Sequence, residues 1–329
     1  MFKKNDELNM LSIETNKYLW EQKINTQHLL FDYDKYIYPY SNYKILEKRS
    51  KKTGKILGEL KGNLYPIVKQ DFFVWVEREF QNEYFLSQIN LEDFTIINFC
   101  KIGNKRITSI LNNNFVCRTE NILTSHNIEN AEELWKLDVS KLGEYLDLKG
   151  TEHEELRVGT VHELYTYNAI LVALLRNDTI IGIDSATGDV LWQKPLFLFI
   201  SRPVQLNDKL YHIITGVDVK NMLQVYDLAT GKLEREVEII HPVLKENTFF
   251  TKRFINDTYI ALTATKTGEI LVINHKTAII EDYAKLPNLK EKIPIDNIPQ
   301  VHQNKVYQLD GEGTLYIFEK EEKISFTKV

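Results

Sequence analysis

Short apolar or aromatic runs recur along the chain, and each run stops at a polar turn. Typical runs are FFVWVE at 72–77, AILVALL at 169–175 and KLYHII at 209–214. Runs of this length, with turn residues at both ends and apolar positions that often alternate, are typical of β-strands. The pattern therefore predicts an all-β protein built from short strands and tight turns.

A repeated turn motif separates many of these runs. The two clearest copies are IIGIDSATGDVLW and LQVYDLATGKLER, whose Thr-Gly steps lie 43 residues apart. The turn residues are Asp184, Thr187 and Gly188 in the first copy and Asp227, Thr230 and Gly231 in the second. An aspartate can accept backbone N–H bonds at the turn entry, and glycine adopts a positive φ at low cost. Each copy is therefore expected to fold as strand, tight turn and strand.

Weaker copies of this motif occur elsewhere in the sequence. The glycine position is filled by Asn16, Gly54, Ala131, Ala278 and Glu322. Three tryptophans, Trp20, Trp135 and Trp192, lie at the same offset after the turn. A vaguer turn near 90–92 falls where another copy is expected.

A second series of turns supports the same repeat. Its members are Tyr33-Asp34, Gln70-Asp71, Asn113-Asn114, Tyr167-Asn168, Asn207-Asp208, Asn256-Asp257 and Gln303-Asn304. They are separated by between 37 and 54 residues. Two turns in each unit imply four strands, and four-stranded units of about 40–50 residues are typical of β-propeller blades.

We therefore predict one domain, 1–329, that forms a seven-bladed β-propeller of four-stranded antiparallel blades. The predicted blades are approximately 26–60, 61–100, 101–140, 155–195, 196–240, 241–287 and 288–329. A surplus N-terminal hairpin, 8–25, is expected to help close the ring by pairing with the last blade, which would remove exposed strand edges. Whether the N-terminal or the C-terminal strand closes the ring is left open.

The string D-x-x-T-G-x-x-x-W resembles the repeat of the quinoprotein alcohol dehydrogenase-like propellers, known as PQQ-like repeats. Asp184, Thr187, Gly188 and Trp192 match it best, and in the copy at Asp227 an arginine, Arg235, replaces the tryptophan. The resemblance is strong over about 160–285 and thin over 60–130. In that family the tryptophan docks neighbouring blades, so the resemblance implies structural roles for Trp20, Trp135 and Trp192.

The resemblance does not imply that this chain binds a quinone cofactor. The quinone-dependent enzymes of this family are much longer, and they hold their cofactor with an adjacent cysteine pair and a calcium site. Cys100 and Cys117 are not adjacent, and no calcium-binding cluster is recognisable in the sequence. We therefore expect a divergent, non-enzymatic member with no quinone and no other cofactor. The family also includes an outer-membrane barrel-assembly lipoprotein that serves as an interaction scaffold.

Composition and charge exclude several other classes. The net charge is −5, with 41 basic and 46 acidic residues, which gives no reason to expect a nucleic-acid partner. The eight histidines show no metal-binding spacing, and the two cysteines form no disulfide framework. The N-terminal segment has no apolar signal core, and no run is long enough to span a membrane. We therefore expect a cytoplasmic protein without a metal site.

The longest repeat spacing marks an insertion at about 141–157, and this insertion is acidic. Long loops on a rigid scaffold often carry function, although a drifted surface loop is the alternative interpretation. The candidate partner-binding residues are Glu144, Tyr145, Asp147, Glu152, Glu154, Glu155, Asp218 and Lys220. All the net negative charge lies in 151–329, with 20 basic and 25 acidic residues, so a partner with a basic surface would fit.

One run has the opposite charge: 44–55 holds six basic residues against Glu47. A solvated outer strand edge, protected by its lysines, is one interpretation, and a contact to nucleic acid or an acidic partner is the other.

The functional hypothesis that we favour is a non-catalytic protein-binding scaffold, such as an inhibitor or immunity-type protein that binds a toxin or effector through one propeller face. The alternative is a hydrolase or lyase with its active site at the mouth of the central channel. A third, weaker hypothesis is a small-ligand or sugar sensor.

Overall fold

In the described residues, the regular secondary structure is almost entirely β-strand. The structure, a computed structural model, describes residues 2–4, 7–12, 15, 18–23, 26–41, 44–111, 113–142, 144–147, 152, 155–196, 203–215, 220–245, 250–264, 267–286, 298–309 and 315–319. Within these ranges, two short 3-10 helices, Val139–Leu142 and Pro242–Lys245, accompany the strands. The fold class is a seven-bladed β-propeller of antiparallel sheets, as the repeat predicts.

Two compact units divide the chain, Met1–Phe197 and Leu198–Val329. The first unit begins with a three-stranded sheet, β1 (Phe2–Lys4), β2 (Glu7–Leu11) and β3 (Tyr18–Lys23). Blade 1 is β4 (Thr26–Tyr33), β5 (Tyr36–Ser41), β6 (Ile45–Ser50) and β7 (Ile56–Lys61). Blade 2 is β8 (Asn63–Gln70), β9 (Phe73–Phe80), β10 (Glu83–Asn90) and β11 (Ile96–Lys101).

Two further blades and a hairpin complete the first unit. Blade 3 is β12 (Ile107–Leu111), β13 (Asn114–Thr119), β14 (Ile122–Asn127) and β15 (Glu133–Asp138). The hairpin is β16 (Glu144–Asp147) and β17 (Glu155–Val158). Blade 4 is β18 (Val161–Tyr167), β19 (Ile170–Leu175), β20 (Thr179–Asp184) and β21 (Val190–Pro195).

The second unit holds three blades. Blade 5 is β22 (Val204–Leu206), β23 (Lys209–Ile214), β24 (Met222–Asp227) and β25 (Leu233–Glu238). Blade 6 is β26 (Phe250–Ile255), β27 (Tyr259–Ala264), β28 (Glu269–Asn274) and β29 (Ile279–Lys285). Blade 7 shows β30 (Gln300–His302), β31 (Lys305–Leu309) and β32 (Leu315–Glu319) in its described part.

Each blade is an antiparallel meander, in which every strand pairs with the next along the chain. The central strands are buried on both faces: β19 is buried from Leu171 to Leu175, and β20 from Thr179 to Ile183. The outer strand β21 is largely exposed. Cores lie between neighbouring blades, as where Trp135 and Val116 of blade 3 join Leu171 and Ile181 of blade 4. Continuous apolar runs in the middle strands therefore reflect a sheet covered on both sides.

Both series of turns contain residues with left-handed backbone. In the first series, Gly54, Gly188 and Gly231 have φ of 69°, 79° and 65°, and the two alanines at the glycine position, Ala131 and Ala278, both have 61°. In the second series, positive φ occurs at Asp34, Asp71, Asn168, Asn207 and Gln303. Positive φ at alanine is uncommon, so the fold imposes this conformation on the position whatever residue occupies it.

The predicted N-terminal hairpin is β2 and β3, and β1 adds a third strand to it. Asn16 and Glu322 lie outside the described residues. The blade boundaries, the single-domain organisation and the proposed closure of the ring stay predictions.

Candidate partner-binding surfaces

The acidic insertion folds as a two-stranded sheet that joins no blade among the described residues. Its register pairs Glu144 with Val158, Tyr145 with Arg157, Leu146 with Leu156 and Asp147 with Glu155. Glu152 lies in an exposed turn between the two strands. Glu154 is outside the described residues. We call the segment 144–158 the acidic hairpin.

The entry to the acidic hairpin is attached to the scaffold. The side-chain amide of Asn177, between β19 and β20, donates to the carbonyl of Leu142 at 3.1 Å. One turn earlier, the Asp138 carboxylate accepts bonds from the hydroxyl and the amide of Ser140, at 2.6 and 3.0 Å. These hydrogen bonds lower the pKa of Asp138. The chain therefore leaves blade 3 along a fixed path.

The other two candidate residues belong to the second unit. Lys220 is exposed and forms an ion pair with Glu238 at 3.2 Å, which partly neutralises its charge. Asp218 lies outside the described residues.

The Asp-x-x-Thr-Gly turn of blade 4 is held by side-chain hydrogen bonds. The Asp184 carboxylate accepts from the amides of Ala186 and Thr187, at 2.8 and 3.1 Å. The Gly188 amide donates to the Asp184 carbonyl at 2.9 Å. Together these bonds occupy most of the turn's polar groups, which explains why aspartate and glycine recur there.

The matching turn of blade 5 includes a lysine that sequence reasoning missed. Asp227 accepts from both the amide and the hydroxyl of Thr230, at 2.9 and 2.7 Å, and the Gly231 amide donates to the Asp227 carbonyl at 2.8 Å. Lys209 Nζ also lies 2.8 Å from Asp227 and 3.0 Å from Glu234. These carboxylates raise the pKa of Lys209, and the bond from Lys209 lowers that of Asp227. Lys209 is 18 residues from Asp227, so only the β23–β24 pairing brings them together.

Two repeat tryptophans attach one sheet to the next. Trp135 is buried, and its indole N–H donates to the carbonyl of Ser185, the residue after Asp184, at 2.8 Å. Trp20 of β3 donates in the same way to the carbonyl of Lys51 in blade 1, at 2.7 Å, and packs on Ile37. Each indole is therefore hydrogen-bonded to the sheet next to its own, while the docking role that the resemblance implies for the repeat tryptophans stays a prediction.

In units that lack the tryptophan, other side chains donate to the equivalent backbone carbonyl, that of the residue after the turn entry. Arg235 of blade 5 donates to the carbonyl of His275 in blade 6 at 2.7 Å. Tyr38 of blade 1 donates its hydroxyl to the carbonyl of Leu91 in blade 2. The acceptor is thus the constant element of these contacts, while the donor varies.

Glycines give the aromatic rings room at three places in the first unit. A Cβ added at Gly188 would lie 2.7 Å from the Trp135 ring, and one at Gly182 would lie 2.1 Å from the Trp192 ring. Between blades 1 and 2, a Cβ at Gly58 would lie 3.0 Å from the ring of Phe94. Phe94 itself has a φ of 63° and fills the glycine position of the turn near 90–92.

The basic run 44–55 is only partly a solvated edge. Lys48 and Arg49 are buried because β6 is an inner strand of blade 1, between β5 and β7. Arg49 pairs with buried Glu47 at 2.5 Å and donates to the carbonyl of Gly54 at 3.0 Å, while Lys48 donates to the carbonyl of Glu92. The interpretation as a solvated edge is therefore wrong for these two residues, whose charged groups form hydrogen bonds within blade 1 and to blade 2.

The exposed end of the basic run lines a cleft between the N-terminal sheet and blade 1, which we call the rim cleft. Its volume is about 580 Å³. Its apolar lining consists of Met10, Leu19, Tyr36 and Leu57, and its polar lining consists of Lys35, Ser50, Lys51, Lys52 and Thr53.

Among the described residues, no three His, Cys, Asp or Glu side chains are close enough together to bind a metal ion, and no helix has the length and hydropathy to cross a membrane. His212 is fully buried, and its Nδ1 lies 3.3 Å from Gln224 Oε1. His275 is also buried, and this burial lowers its pKa. Both histidines lie within the scaffold of the second unit.

Comparison with known proteins identifies the fold and no family. No family model matches the sequence, and no curated protein matches it. BamB from Moraxella catarrhalis is 13% identical with a TM-score of 0.55, over 97% of this chain and 92% of that chain. The computationally designed Ika8 protein is 13% identical with a TM-score of 0.63, over 96% and 91%. The dihydro-heme d1 dehydrogenase NirN, in complex with DHE, is 14% identical with a TM-score of 0.58, over 96% and 68%.

These similarities agree with the β-propeller predicted from the repeat. One neighbour is a designed protein and another is a dehydrogenase, so the shared fold does not decide the function.

Proposed function

We propose that the chain is a non-catalytic protein-binding scaffold, and that the acidic hairpin contacts a basic surface of its partner. The observation that carries the proposal is the hairpin itself. It is a two-stranded sheet that belongs to no blade among the described residues, so the repeat does not account for it. Its segment has five acidic residues and two basic ones, Lys149 and Arg157.

The register of the hairpin supports a binding role. Asp147 and Glu155 are direct register partners, so the backbone places two acidic positions opposite each other at the turn end of the hairpin. A partner that brings lysine or arginine to this segment would match its excess of acidic residues. Charge complementarity of this kind mainly accelerates association and selects the partner.

The test is a capture experiment with a matched control. The tagged chain is used to purify partners from its native host, and the eluate is identified by mass spectrometry. The triple variant Glu152→Lys, Glu154→Lys, Glu155→Lys is expected to lose the partner. The control Glu129→Lys, Glu132→Lys, Glu133→Lys makes the same change in charge on exposed positions of blade 3 and is expected to keep it. Equal loss in both variants would contradict the proposal.

Asp218 and Lys220 are separate candidate contact residues in the second unit. Because Lys220 is already paired with Glu238, Lys220→Gln is expected to weaken capture less than the triple reversal does. If Lys220→Gln abolished capture of the partner as completely as the triple variant does, the main contact would lie outside the hairpin.

In a more specific form of this proposal, the partner is a toxin or effector. The chain would bind and inhibit it in the cytoplasm, as an immunity protein does. The acidic excess of 151–329 supports this version, since many nucleic-acid-directed proteins present basic surfaces. It predicts that the purified chain inhibits the captured partner's activity at equimolar concentration, and that cell fractionation finds the chain in the soluble fraction. A captured partner that keeps its full activity would rule out the inhibitor.

A further inference from the structure

The surface of the rim cleft is almost entirely apolar, and lysines are among the residues that surround it. Leu19 and Leu57 are 53% and 51% exposed, and leucines at the same repeat position elsewhere are exposed too, but these two face one concavity. Met10 and Tyr36 complete the apolar wall. A volume of about 580 Å³ lies within the range of about 300–1,000 Å³ that is usual for small-molecule sites.

The charged side chains around the cleft all have one sign. The described lining contains three lysines, Lys35, Lys51 and Lys52, and none of its residues is acidic. Lys51 is paired with Asp32 at 2.9 Å, whereas Lys35 and Lys52 form no ion pair with any described residue. The Lys35 ammonium lies 5.5 Å from the centroid of the Tyr36 ring, so a positive charge stands beside the apolar wall.

The two walls are held at a fixed separation. The N–H of Trp20, next to Leu19, donates to the carbonyl of Lys51. The amide of Lys51 donates to the carbonyl of Lys35 at 2.9 Å, which links the two turns that carry the lysines. The cleft is therefore formed by the docking of β3 on blade 1 rather than by a single loop.

We propose that the rim cleft binds a small amphipathic anion, a molecule with an alkyl body and a carboxylate head. The alkyl body would cover Leu19, Leu57 and Met10, and the carboxylate would pair with Lys52 and Lys35. Burial of apolar surface supplies affinity, and the lysines select for negative charge.

The probe is a series of straight-chain carboxylates, octanoate, decanoate and dodecanoate, each used below its micelle concentration. Isothermal titration calorimetry should show saturable binding that tightens about threefold to fourfold for each added methylene group. Decanol and decyltrimethylammonium should bind at least tenfold more weakly than decanoate. Equal affinity for all three head groups would overturn the proposal, because the lysines would then contribute nothing.

Matched variants locate the binding site. Leu57→Ser should weaken decanoate binding about tenfold. The control Leu134→Ser removes a similarly exposed leucine from the same repeat position of blade 3 and should leave binding unchanged. Lys52→Gln should reduce the preference for decanoate over decanol, whereas Lys55→Gln, an exposed lysine outside the lining, should not.

Two outcomes would overturn this assignment. If Leu134→Ser weakened decanoate binding as much as Leu57→Ser does, decanoate would be adsorbing to exposed apolar residues in general. Binding of an acidic peptide with no binding of decanoate would mean that the cleft is a peptide site. Because none of these measurements involves the acidic hairpin, they can fail while the proposed function holds.

Discussion

The interface between blades 3 and 4 and the interface between blades 1 and 2 each pair an aromatic ring with a glycine. The ring comes from the earlier blade in the first interface and from the later blade in the second. In the first, the Trp135 ring of the earlier blade lies on Gly188 of the later blade. In the second, Gly58 stands at the tryptophan position of the earlier blade, and the Phe94 ring stands at the glycine position of the later one. An aromatic ring and a glycine have exchanged places across the interface.

The exchange shows that the pair, rather than either residue, is what the fold requires. One ring must fill the gap beside the turn, and the facing position must then be free of a side chain. The carbonyl after the turn entry is satisfied in both cases, by the Trp135 indole at Ser185 and by the Tyr38 hydroxyl at Leu91.

The largest effect is expected from Trp135→Ala. The indole is buried in the core that blades 3 and 4 share, and its N–H is bonded to Ser185. Its removal should lower the free energy of unfolding by about 3–5 kcal/mol. Urea denaturation followed by circular dichroism measures the change. A loss below about 1 kcal/mol would mean that the ring does not hold the two blades together.

The second effect is expected from Gly188→Ala. The new Cβ would lie 2.7 Å from the Trp135 ring, at a φ of 79°. Overpacking and a left-handed alanine should together cost about 2–3 kcal/mol in unfolding free energy. Gly58→Ala is the matched control, since its Cβ would lie 3.0 Å from Phe94 and its φ is not positive. A greater cost at Gly58 than at Gly188 would contradict the comparison.

The exchange itself can be tested by reversing it. Gly58→Trp alone should destabilise blade 1, because the new ring meets Phe94, and Phe94→Gly alone should leave a cavity. The double variant places a tryptophan opposite a glycine, as at Trp135 and Gly188. A double-mutant cycle in urea should give a favourable coupling of about 1–3 kcal/mol. Additive effects would show that the two sites are independent.

A smaller effect is expected where arginine replaces the tryptophan. Arg235→Ala removes the bond to the carbonyl of His275 and should cost about 1–2 kcal/mol in unfolding free energy. Arg235→Trp should recover much of that loss, since an indole is the donor to the equivalent carbonyl at Trp20 and Trp135. Further loss in the tryptophan variant would mean that the second unit packs these blades differently.

The sequence predicted the parts of the fold that recur. Fixed spacing placed Ala131 and Ala278 at the glycine position, and both have the left-handed backbone expected there. The sequence pattern does not indicate Phe94, because a bulky aromatic residue is not expected at positive φ. Gly58 is not indicated either, because the repeat is expected to have a tryptophan four residues after the glycine position, here Gly54.

The candidate surfaces were less predictable. An unusual spacing and a run of acidic residues indicated the insertion, but the pairing of Asp147 with Glu155 depends on its register. Burial of Lys48 and Arg49 depends on which strand of blade 1 is internal, and composition alone does not encode that order. The rim cleft joins residues from two sheets, Leu19 from one and Leu57 from the other, so no local motif marks it.

The salt dependence of partner binding tests the role of the acidic hairpin most directly. Affinity for the captured partner is measured from low to physiological salt for the wild type, the triple hairpin reversal and the blade 3 control. We predict that wild type and control lose affinity steeply with salt, and that the hairpin variant binds weakly with little dependence on salt. A hairpin variant that matches the wild type in affinity and in salt dependence would contradict the account.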